Sequence, residues 1–284
     1  MKKTTPKKRT RRLITVAVII CLAVAAFYKG LTTVNYTVKS DKLDAAQTLN
    51  IVVITDLHSG IYGTNQELLI NAVKRQNPDL IFLVGDIADH AIPITGTSLL
   101  LAGIKDVAPI YYVTGNHEYM SGNYPAIHDE LVKYGVTVLS DTFVKTEING
   151  VPLIIAGIED PDASRAYARP GYTQKAAMDQ YFADFGTAPE FTVLLAHRPE
   201  LIDSYREYGF DLVVSGHTHG GQVRIPFILN GLYAPDQGWF PRYAGGLYTH
   251  GELTHIVSRG LALNAPIPRI FNPPELVVIT LVAK

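Results

Sequence analysis

The sequence predicts an α/β domain whose strands are buried on both faces. Short, continuously apolar runs rich in Val, Ile and Leu recur from residue 50 to residue 282, as expected for strands covered on both sides. Helical patterns at residues 65–76 and 125–134 separate several of these runs. Strand–helix alternation of this kind is typical of layered α/β folds.

The predicted strands are six early runs and two late ones, at residues 50–55, 80–84, 110–113, 151–156, 191–196, 211–215, 255–258 and 276–282. Asn77-Pro78 is expected to end the first helix, and Gly135 to cap the second. Two insertions that could line a pocket are also predicted. The first covers residues 161–189 and includes a helix at 173–185, and the second covers residues 224–251 and is rich in Gly, Pro and aromatic residues.

The first thirty residues are predicted to be a targeting segment. Seven Lys and Arg precede an apolar run at residues 13–28, and this asymmetry is typical of an N-terminus held in the cytoplasm. We expect residues 1–30 to form a signal anchor with a single membrane pass. Residues 31–48 are expected to form a linker and the entry strand of the domain, and residues 49–284 an extracytoplasmic catalytic domain.

Three other interpretations of this segment stay open at this point. A small-x-small pattern at residues 23–25 favours a cleaved signal peptide, with export and cell-wall association. A partial twin-arginine pattern at residues 10–14 favours export in the folded state. The segment also fits a buried helix of a soluble protein.

Charge and cysteine content exclude several classes of function. Of the 25 Lys and Arg, eight lie in residues 1–30, so the remaining 17 oppose all 26 Asp and Glu, a net charge of −9. No nucleic-acid partner is expected, because phosphate-backbone contacts need Lys and Arg. Cys21 is the single cysteine, so residues 31–284 hold no disulfide and no thiolate zinc site.

Polar side chains that bind metals follow five of the predicted strands. In chain order these are Asp56 and His58, then Asp86 and Asp89, then Asn116 and His117, then His197, and last His217 and His219. In an open α/β sheet, ligands bind at the carboxyl ends of the strands. The sequence therefore predicts that these residues meet at one edge.

A pair of divalent ions explains these residue types. Two cations roughly 3.5–4 Å apart repel one another, so a carboxylate must bridge them, and Asp86 at a strand end is suited to that position. The i, i+2 spacing of Asp56 with His58 directs both side chains to one side, as does that of His217 with His219. Imidazole, carboxylate and amide oxygen favour Mn, Fe or Zn over Ca²⁺.

The motifs D-x-H, G-D-x-x-D, G-N-H-E, a lone His and G-H-x-H, in this order over residues 48–260, resemble the calcineurin-like metallophosphoesterase superfamily. The run SGHTHGGQVRIP, with SRGL and NPPEL further on, resembles its membrane-associated bacterial YkuE/YaeI-type branch. The resemblance implies a four-layer α/β sandwich of two facing mixed sheets, with a dimetal site at the strand ends.

The resemblance also implies a role for each candidate residue. Asp56, His58 and His219 would bind one metal ion, Asn116, His197 and His217 the other, and Asp86 both. His117 would face the phosphate and protonate the leaving oxygen, and Asp89 would orient His117. The remaining histidines His90, His128, His250 and His255 are interpreted as surface or core residues, and Arg198 as either a phosphate contact or an ion-pair partner.

The function expected from these features is hydrolysis of a phosphodiester or pyrophosphate by attack of metal-bound hydroxide. The predicted membrane pass suggests a lipid-linked or cell-envelope substrate. One alternative is a broad phosphomonoesterase or nucleotide phosphatase that scavenges phosphate. Another is a non-catalytic, metal-stabilised protein that binds the envelope.

Overall fold

The structure is a computed structural model, and it describes residues 6–166, 172–183, 185–263 and 267–284. Fourteen strands form its frame: β1 Thr32–Ser40, β2 Thr48–Ile54, β3 Leu80–Val84, β4 Ile110–Val113, β5 Thr137–Val138, β6 Thr142–Ile148, β7 Val151–Gly157, β8 Phe191–Leu195, β9 Leu212–Ser215, β10 Tyr233–Ala234, β11 Gly238–Trp239, β12 Gly246–His250, β13 Leu253–Val257 and β14 Glu275–Ala283.

Eight α-helices accompany the described strands: α1 Pro6–Ala26, α2 Glu67–Lys74, α3 Thr95–Ile104, α4 Asn116–Met120, α5 Tyr124–Lys133, α6 Ala163–Ala166, α7 Gln174–Tyr181 and α8 Ile202–Tyr205. Short 3₁₀ helices lie at Thr64–Gln66, Phe185–Thr187, Pro199–Leu201, Arg206–Tyr208 and His219–Gly221.

Two six-stranded mixed sheets hold the domain together. The first has the order β1-β14-β2-β3-β4-β5, and the second β12-β13-β9-β8-β7-β6. In the first sheet β14 runs antiparallel to β2, while β2, β3, β4 and β5 are mutually parallel. In the second, β13, β9, β8 and β7 are parallel, and β12 and β6 run antiparallel at the two edges.

Side-chain alternation along each strand produces three apolar layers. In β2, Ile51 and Val53 pack between the two sheets, whereas Val52 and Ile54 pack outward under α2 and α3. A third cluster lies outside the second sheet and includes Met178 of α7. Because both faces of the central strands are covered, these strands are apolar at most positions, and β3 and β4 are apolar throughout. The four-layer α/β sandwich predicted from the sequence is confirmed.

The sequence patterns found the buried strands and missed the exposed elements. The predicted run at residues 80–84 is β3, and the run at 110–113 is β4. The edge strands β6 and β12 were missed because their residues alternate with solvent exposure and lack apolar runs. Within the predicted insertion at residues 161–189, residues 167–171 and 184 lie outside the described part.

The N-terminal helix corrects the prediction of a membrane pass. Among the described residues, no helix combines the length and apolarity that crossing a bilayer requires. The first turns of α1 carry five Lys and Arg, so its apolar part covers residues 13–26. At 1.5 Å per residue that part is about 21 Å long, against a hydrocarbon core of about 30 Å. The localisation prediction, a single membrane pass, is therefore wrong.

The layer between the sheets should dominate the stability of the domain. Ile279 of β14 is fully buried there, so we expect Ile279→Ala to lower the free energy of unfolding by about 2–5 kcal/mol, from lost burial and a residual cavity. Leu68→Ala on α2 is the control, because the Leu68 side chain is 54% exposed and its loss should cost less than about 0.5 kcal/mol. Guanidinium unfolding measures both, and equal losses would contradict the assignment of this core.

Candidate active site

The candidate site lies where strand ends of both sheets meet. Asp56 and His58 follow β2, Asp86 and Asp89 follow β3, and Asn116 and His117 begin α4 directly after β4. From the second sheet, His197 follows β8, and His217 and His219 follow β9. The structure brings these nine residues, all named from the sequence, to one edge of the sandwich.

One group of ligand-type atoms joins the two sheets. Asp56, His58 and His219 each offer an atom within 4.8 Å of the others. His58 Nε2 lies 3.2 Å from His219 Nε2, and His219 Nε2 lies 3.4 Å from Asp56 Oδ1. Asp56 also fixes the opposite loop, because its Oδ1 accepts the backbone N–H of His217 at 2.9 Å.

A second group lies beside the first, and one of its carboxylates approaches a histidine of the first group. Asp86, His197 and His217 also have ligand-type atoms within 4.8 Å of one another. Asp86 Oδ2 is 3.2 Å from His197 Nε2 and 3.8 Å from His58 Nε2, so this oxygen lies between the two groups. Asn116 lines the same cavity as Asp86 and His217.

The donor atoms fit divalent ions by two independent observations. Three buried polar atoms, Asp56 Oδ2, Asn116 Oδ1 and His197 Nε2, have no hydrogen-bond partner in the structure. A buried polar atom without a partner is costly, and a metal ion would satisfy all three. In addition, ligands bound at 2.0–2.2 Å lie roughly 3.0–3.5 Å apart when adjacent on one ion, which matches the separations of 3.2 and 3.4 Å in the first group.

Hydrogen bonds on the opposite ring nitrogens orient two of the histidines. His197 Nδ1 donates to the carbonyl oxygen of Val84 at 2.9 Å, which leaves its Nε2 atom, 3.2 Å from Asp86 Oδ2, as the nitrogen that faces the candidate site. His58 Nδ1 donates to Asp89 Oδ2 at 3.0 Å, which leaves its Nε2 lone pair directed at His219. Metal-binding histidines are ordinarily held in this way, through the nitrogen that does not ligate.

Mutual electrostatic effects keep the site ionised. Although burial opposes it, the nearby His197 holds the pKa of Asp86 well below its usual range, and a hydrogen bond from His219 lowers the pKa of Asp56. Burial lowers the pKa of His219 to about 4. The Asp86 carboxylate overcomes burial at His197 and raises its pKa to about 10. Two ionised carboxylates therefore lie in a site closed to bulk water, as a cation site needs.

Glu118 holds this arrangement together, and its role was missed in the sequence. Its buried carboxylate accepts four backbone N–H groups, those of Gly115 at 2.8 Å, Asp86 at 2.9 Å, Ile87 at 2.7 Å and Ala88 at 2.9 Å. Burial and the nearby Asp86 raise the pKa of Glu118 to about 7, whereas these donors favour its charged form. Its position three residues after the Gly115 N-cap is a capping pattern that could have revealed it.

Backbone strain is concentrated at the candidate ligands. Asp56, His58, Asp86, His217 and His219 all have φ between 48° and 71°, in the left-handed region that residues with a Cβ rarely adopt. Each such residue costs roughly 1–3 kcal/mol and persists only where the surroundings enforce it. The surrounding strand ends therefore enforce the positions of these side chains.

Two glycines make space for the carboxylates. A Cβ at Gly115 would lie 2.3 Å from Asp86 Oδ1, and one at Gly216 would lie 2.6 Å from Asp56 Oδ2. Neither glycine has positive φ, so backbone conformation does not explain them. Their role is the close approach of a neighbouring ligand.

The cavity beside the site has an acidic wall. Its volume is about 550 Å³, and its described lining includes four candidate ligands, Asp86, Asn116, His217 and His219, together with Asp162, Arg198, Glu200 and Asp236. Arg198 binds Asp160 through two hydrogen bonds, of 2.6 and 3.0 Å, and also pairs with Asp236. Of the two interpretations of Arg198, the ion-pair partner is the one the structure supports.

Asp236 is a site residue that the sequence patterns could not reveal. It lies in the turn between β10 and β11, and its Oδ2 is 2.8 Å from His217 Nε2. With Glu200 and His217 it forms a further group of ligand-type atoms within 4.8 Å. Its position depends on how the loop at residues 224–251 folds, and no local pattern encodes that.

Of the four histidines interpreted as surface or core residues, three lie on the surface or in the core and one lies beside the candidate site. His128 is exposed on α5, and His255 is buried with Nε2 3.2 Å from Ser215 Oγ. His250 is partly exposed on β12. His90 differs, because its Nδ1 lies 2.9 Å from His117 Nδ1, beside the candidate site.

Comparison with known proteins identifies the family. Residues 49–221 match the family model described as calcineurin-like phosphoesterase. The chain belongs to the calcineurin-like phosphoesterase family. An uncharacterized metallophosphoesterase of Aquifex aeolicus is 30% identical over 255 residues, covering 88% of this chain and 91% of the relative. The metallophosphoesterase YkuE of Bacillus subtilis is 29% identical over 260 residues, covering 88% and 85%.

Solved structures with a similar fold are more distant. The calcineurin-like phosphoesterase YfkN from Bacillus subtilis gives a TM-score of 0.47 at 14% identity, covering 74% of this phosphoesterase and 88% of that chain. A dimetal phosphatase from Danio rerio gives a TM-score of 0.47 at 12% identity, covering 78% and 90%.

Family membership and site chemistry agree on the class of reaction. The chain is a metal-dependent phosphoester hydrolase. The family depends on two metal ions, and the described residues of this phosphoesterase include His and Asp clusters that could bind them.

The role of Glu118 is tested by removing its side chain. Glu118→Ala leaves four buried N–H groups without an acceptor, so we expect a loss of about 3 kcal/mol or more in the free energy of unfolding, and weaker Mn²⁺ binding by the folded fraction. Glu147→Ala is the control, because Glu147 is exposed on β6. Denaturant unfolding and metal titration measure both effects, and a Glu118→Ala protein as stable as the control would contradict the assignment.

Proposed function

We propose that this phosphoesterase hydrolyses phosphodiesters at a two-metal centre. Asp56, His58 and His219 bind one ion, Asn116, His197 and His217 bind the other, and Asp86 bridges them. The observation that carries this proposal is the position of Asp86 Oδ2 between the two groups of ligand-type atoms, 3.2 Å from one and 3.8 Å from the other. The unpartnered buried atoms of Asp56, Asn116 and His197 support the same assignment.

The residues around the metals have separate tasks. Two divalent ions at this centre would activate water for in-line attack and offset charge on the phosphoryl oxygens. His117 lines the cavity and donates a proton to the leaving oxygen, as a positioned histidine can. Asp89 positions His117, with Oδ2 3.1 Å from His117 Nδ1. Asp89 itself is fixed, because its Oδ1 accepts the backbone N–H groups of Ala91 and Ile92.

The charge of the cavity favours a diester over a pyrophosphate. Outside the metal centre, the described lining presents the carboxylates of Asp162, Glu200 and Asp236. Arg198 is the one Arg or Lys of this described lining, and it is already paired with Asp160 and Asp236. A second phosphate would thus meet a lining with more carboxylates than cations, whereas the second substituent of a diester can be neutral.

The same charges weigh against a broad monoesterase. A phosphomonoester carries about −2 at neutral pH, one negative charge more than a diester. The additional charge would lie within reach of the acidic wall. The expectation of a lipid-linked or cell-envelope substrate rests on the predicted membrane pass, and the described residues of the site add no support for it.

We further propose that residues 49–284 form the catalytic domain and that the chain lies in the YkuE/YaeI-type branch. Of the five strands that carry the candidate residues, four lie within this range and β2 begins one residue before it, which supports the boundary. Identity of 29% with YkuE over 88% of the chain supports the branch.

Substrate preference tests this proposal. The chelator-stripped protein, resupplied with Mn²⁺, is assayed on bis(4-nitrophenyl) phosphate, 4-nitrophenyl phosphate and a dinucleotide pyrophosphate. We expect kcat/KM for the diester to exceed both others by about tenfold or more, a difference of about 1.4 kcal/mol. Asp86→Asn should abolish all three activities.

Two results would contradict the proposal. Faster turnover of the monoester or of the pyrophosphate would overturn the substrate assignment. Unchanged activity in Asp86→Asn would overturn the bridging role of this carboxylate.

A further inference from the structure

We propose that Asp236 is a positioning residue for His217 and that it determines which nitrogen of this ring binds a metal ion. The inference rests on the proposed two-metal centre, in which His217 binds the same ion as Asn116 and His197. Asp236 acts through His217 and is not itself a ligand. The observation that carries the inference is the distance of 2.8 Å between Asp236 Oδ2 and His217 Nε2.

The chemistry of this contact decides where the proton of His217 lies. An ionised carboxylate only accepts, so His217 Nε2 carries the proton and donates it to Asp236 Oδ2. Arg198 Nη1 lies 3.2 Å from the same nitrogen, but a guanidinium only donates. If Nε2 accepted from Arg198, its lone pair would face the carboxylate of Asp236. Arg198 Nη1 also pairs with Asp236 Oδ2, so the two N–H donors share one acceptor oxygen.

A proton on Nε2 leaves the other nitrogen of His217 for the ion. In a neutral imidazole protonated on Nε2, the lone pair lies on Nδ1. The hydrogen bonds of His217 within the described part of the chain involve its backbone N–H and Nε2, and none involves Nδ1. We therefore infer that His217 binds its ion through Nδ1, whereas His58 and His197 are held through Nδ1 and present Nε2.

The carboxylate of Asp236 is held by a fixed cation. Arg198 makes two hydrogen bonds, of 2.6 and 3.0 Å, to Asp160, whose side chain is fully buried. The side chain of Arg198 is itself 9% exposed. Because Arg198 is fixed in this way, its pairing with Asp236 also fixes the oxygen that His217 reaches.

The turn that carries Asp236 is fixed on its other side. The backbone of Asp236 has a φ of 59°, in the left-handed region that the surroundings must enforce. The side chain of the next residue, Gln237, donates to the carbonyl of Tyr243 at 3.1 Å and accepts the N–H of Tyr243 at 2.9 Å. The turn between β10 and β11 is thereby tied to the following loop.

The segment that carries His217 packs on the same loop at a second point. Thr218 Oγ1 donates to the carbonyl of Ala244 at 2.8 Å, one residue after His217 in the chain. His217 and Thr218 therefore contact the loop at residues 224–251 side by side. This loop thus takes part in the metal centre, although its described residues include none of the proposed ligands.

Substitutions at Asp236 that separate hydrogen bonding from charge test the inference. Asp236→Ala removes the acceptor, whereas Asp236→Asn keeps an oxygen that accepts but carries no charge. The side chain of Asp236 is 50% exposed, so neither change should open a core cavity. His217→Ala is the reference. Asp129→Ala is the matched control, because this exposed carboxylate also lies beside a histidine, 3.6 Å from His128 Nδ1.

Calorimetric titration of the chelator-stripped proteins with Mn²⁺ measures the effect. We expect two ions to bind to wild type and to Asp129→Ala. In Asp236→Ala one ion should bind as in wild type and the other about 10- to 100-fold more weakly, as when an outer partner of a ligating histidine is lost. Asp236→Asn should remain within about fivefold of wild type, and His217→Ala should lose one ion. Equal affinities in Asp236→Ala and the control, or no recovery in Asp236→Asn, would overturn the inference.

A spectroscopic measurement tests the assigned nitrogen directly. In Zn²⁺-loaded protein with ¹⁵N-labelled histidine, long-range ¹H–¹⁵N correlation spectra report which nitrogen of each ring carries a proton. We expect His217, assigned by comparison with His217→Ala, to carry its proton on Nε2. A proton on Nδ1, with Nε2 bound to zinc, would overturn the inference even if Asp236→Ala bound metal weakly.

The same data separate this inference from the proposed function. Wild-type protein that bound one ion only, or no ion at His217, would overturn the two-metal centre and this inference with it. Two ions in wild type, with unchanged affinity in Asp236→Ala, would leave the two-metal centre intact and overturn the role of Asp236 alone.

Discussion

The site depends above all on one buried carboxylate, that of Asp86. Its Oδ1 accepts the backbone N–H of His117 at 2.8 Å, while its Oδ2 lies near His197 of the second sheet and His58 of the first. An ionised carboxylate in such a buried place is costly unless cations or donors compensate it. The loops at the edge of both sheets supply that compensation, and two divalent ions would complete it.

The same constraint explains the unusual backbone around the site. Five candidate ligands have positive φ, at a cost that the loops offset through hydrogen bonds between strand ends. The N–H of Asp56 donates to the carbonyl of Gly85 at 3.1 Å, and that of His58 to the carbonyl of Asp86 at 2.9 Å. Glu118 ties the loop after β3 to the start of α4. These hydrogen bonds between strand ends hold the candidate ligands in one arrangement.

Much of the fold could be predicted, because strands buried on both faces appear in the sequence as short, continuously apolar runs. β2, β3 and β4 are apolar on both faces, and each was found within a few residues of its bounds. The helix α3 was missed because its residues include Gly96 and Gly103 and show no clear apolar stripe. The prediction of a single membrane pass was wrong because the charge asymmetry that suggested it says nothing about the length of the apolar run.

Residues of the candidate site could be predicted where they belong to local sequence motifs. They could not be predicted where only tertiary contacts bring them to the site. The nine residues named from the sequence come together because each follows a parallel strand. Glu118 lay inside a recognised motif, but three of its four bonds come from a loop about thirty residues away. Asp236 and His90 become part of the site only through contacts that the folded chain makes.

The bridging position of Asp86 can be tested directly by a crystal structure of the Mn²⁺-loaded protein, with anomalous diffraction to locate the ions. We expect two anomalous peaks roughly 3.5–4 Å apart, one on each side of Asp86 Oδ2, with Asp56, His58 and His219 around one and Asn116, His197 and His217 around the other. A single peak, or a peak held by Glu200, His217 and Asp236 with Asp86 uninvolved, would contradict this account.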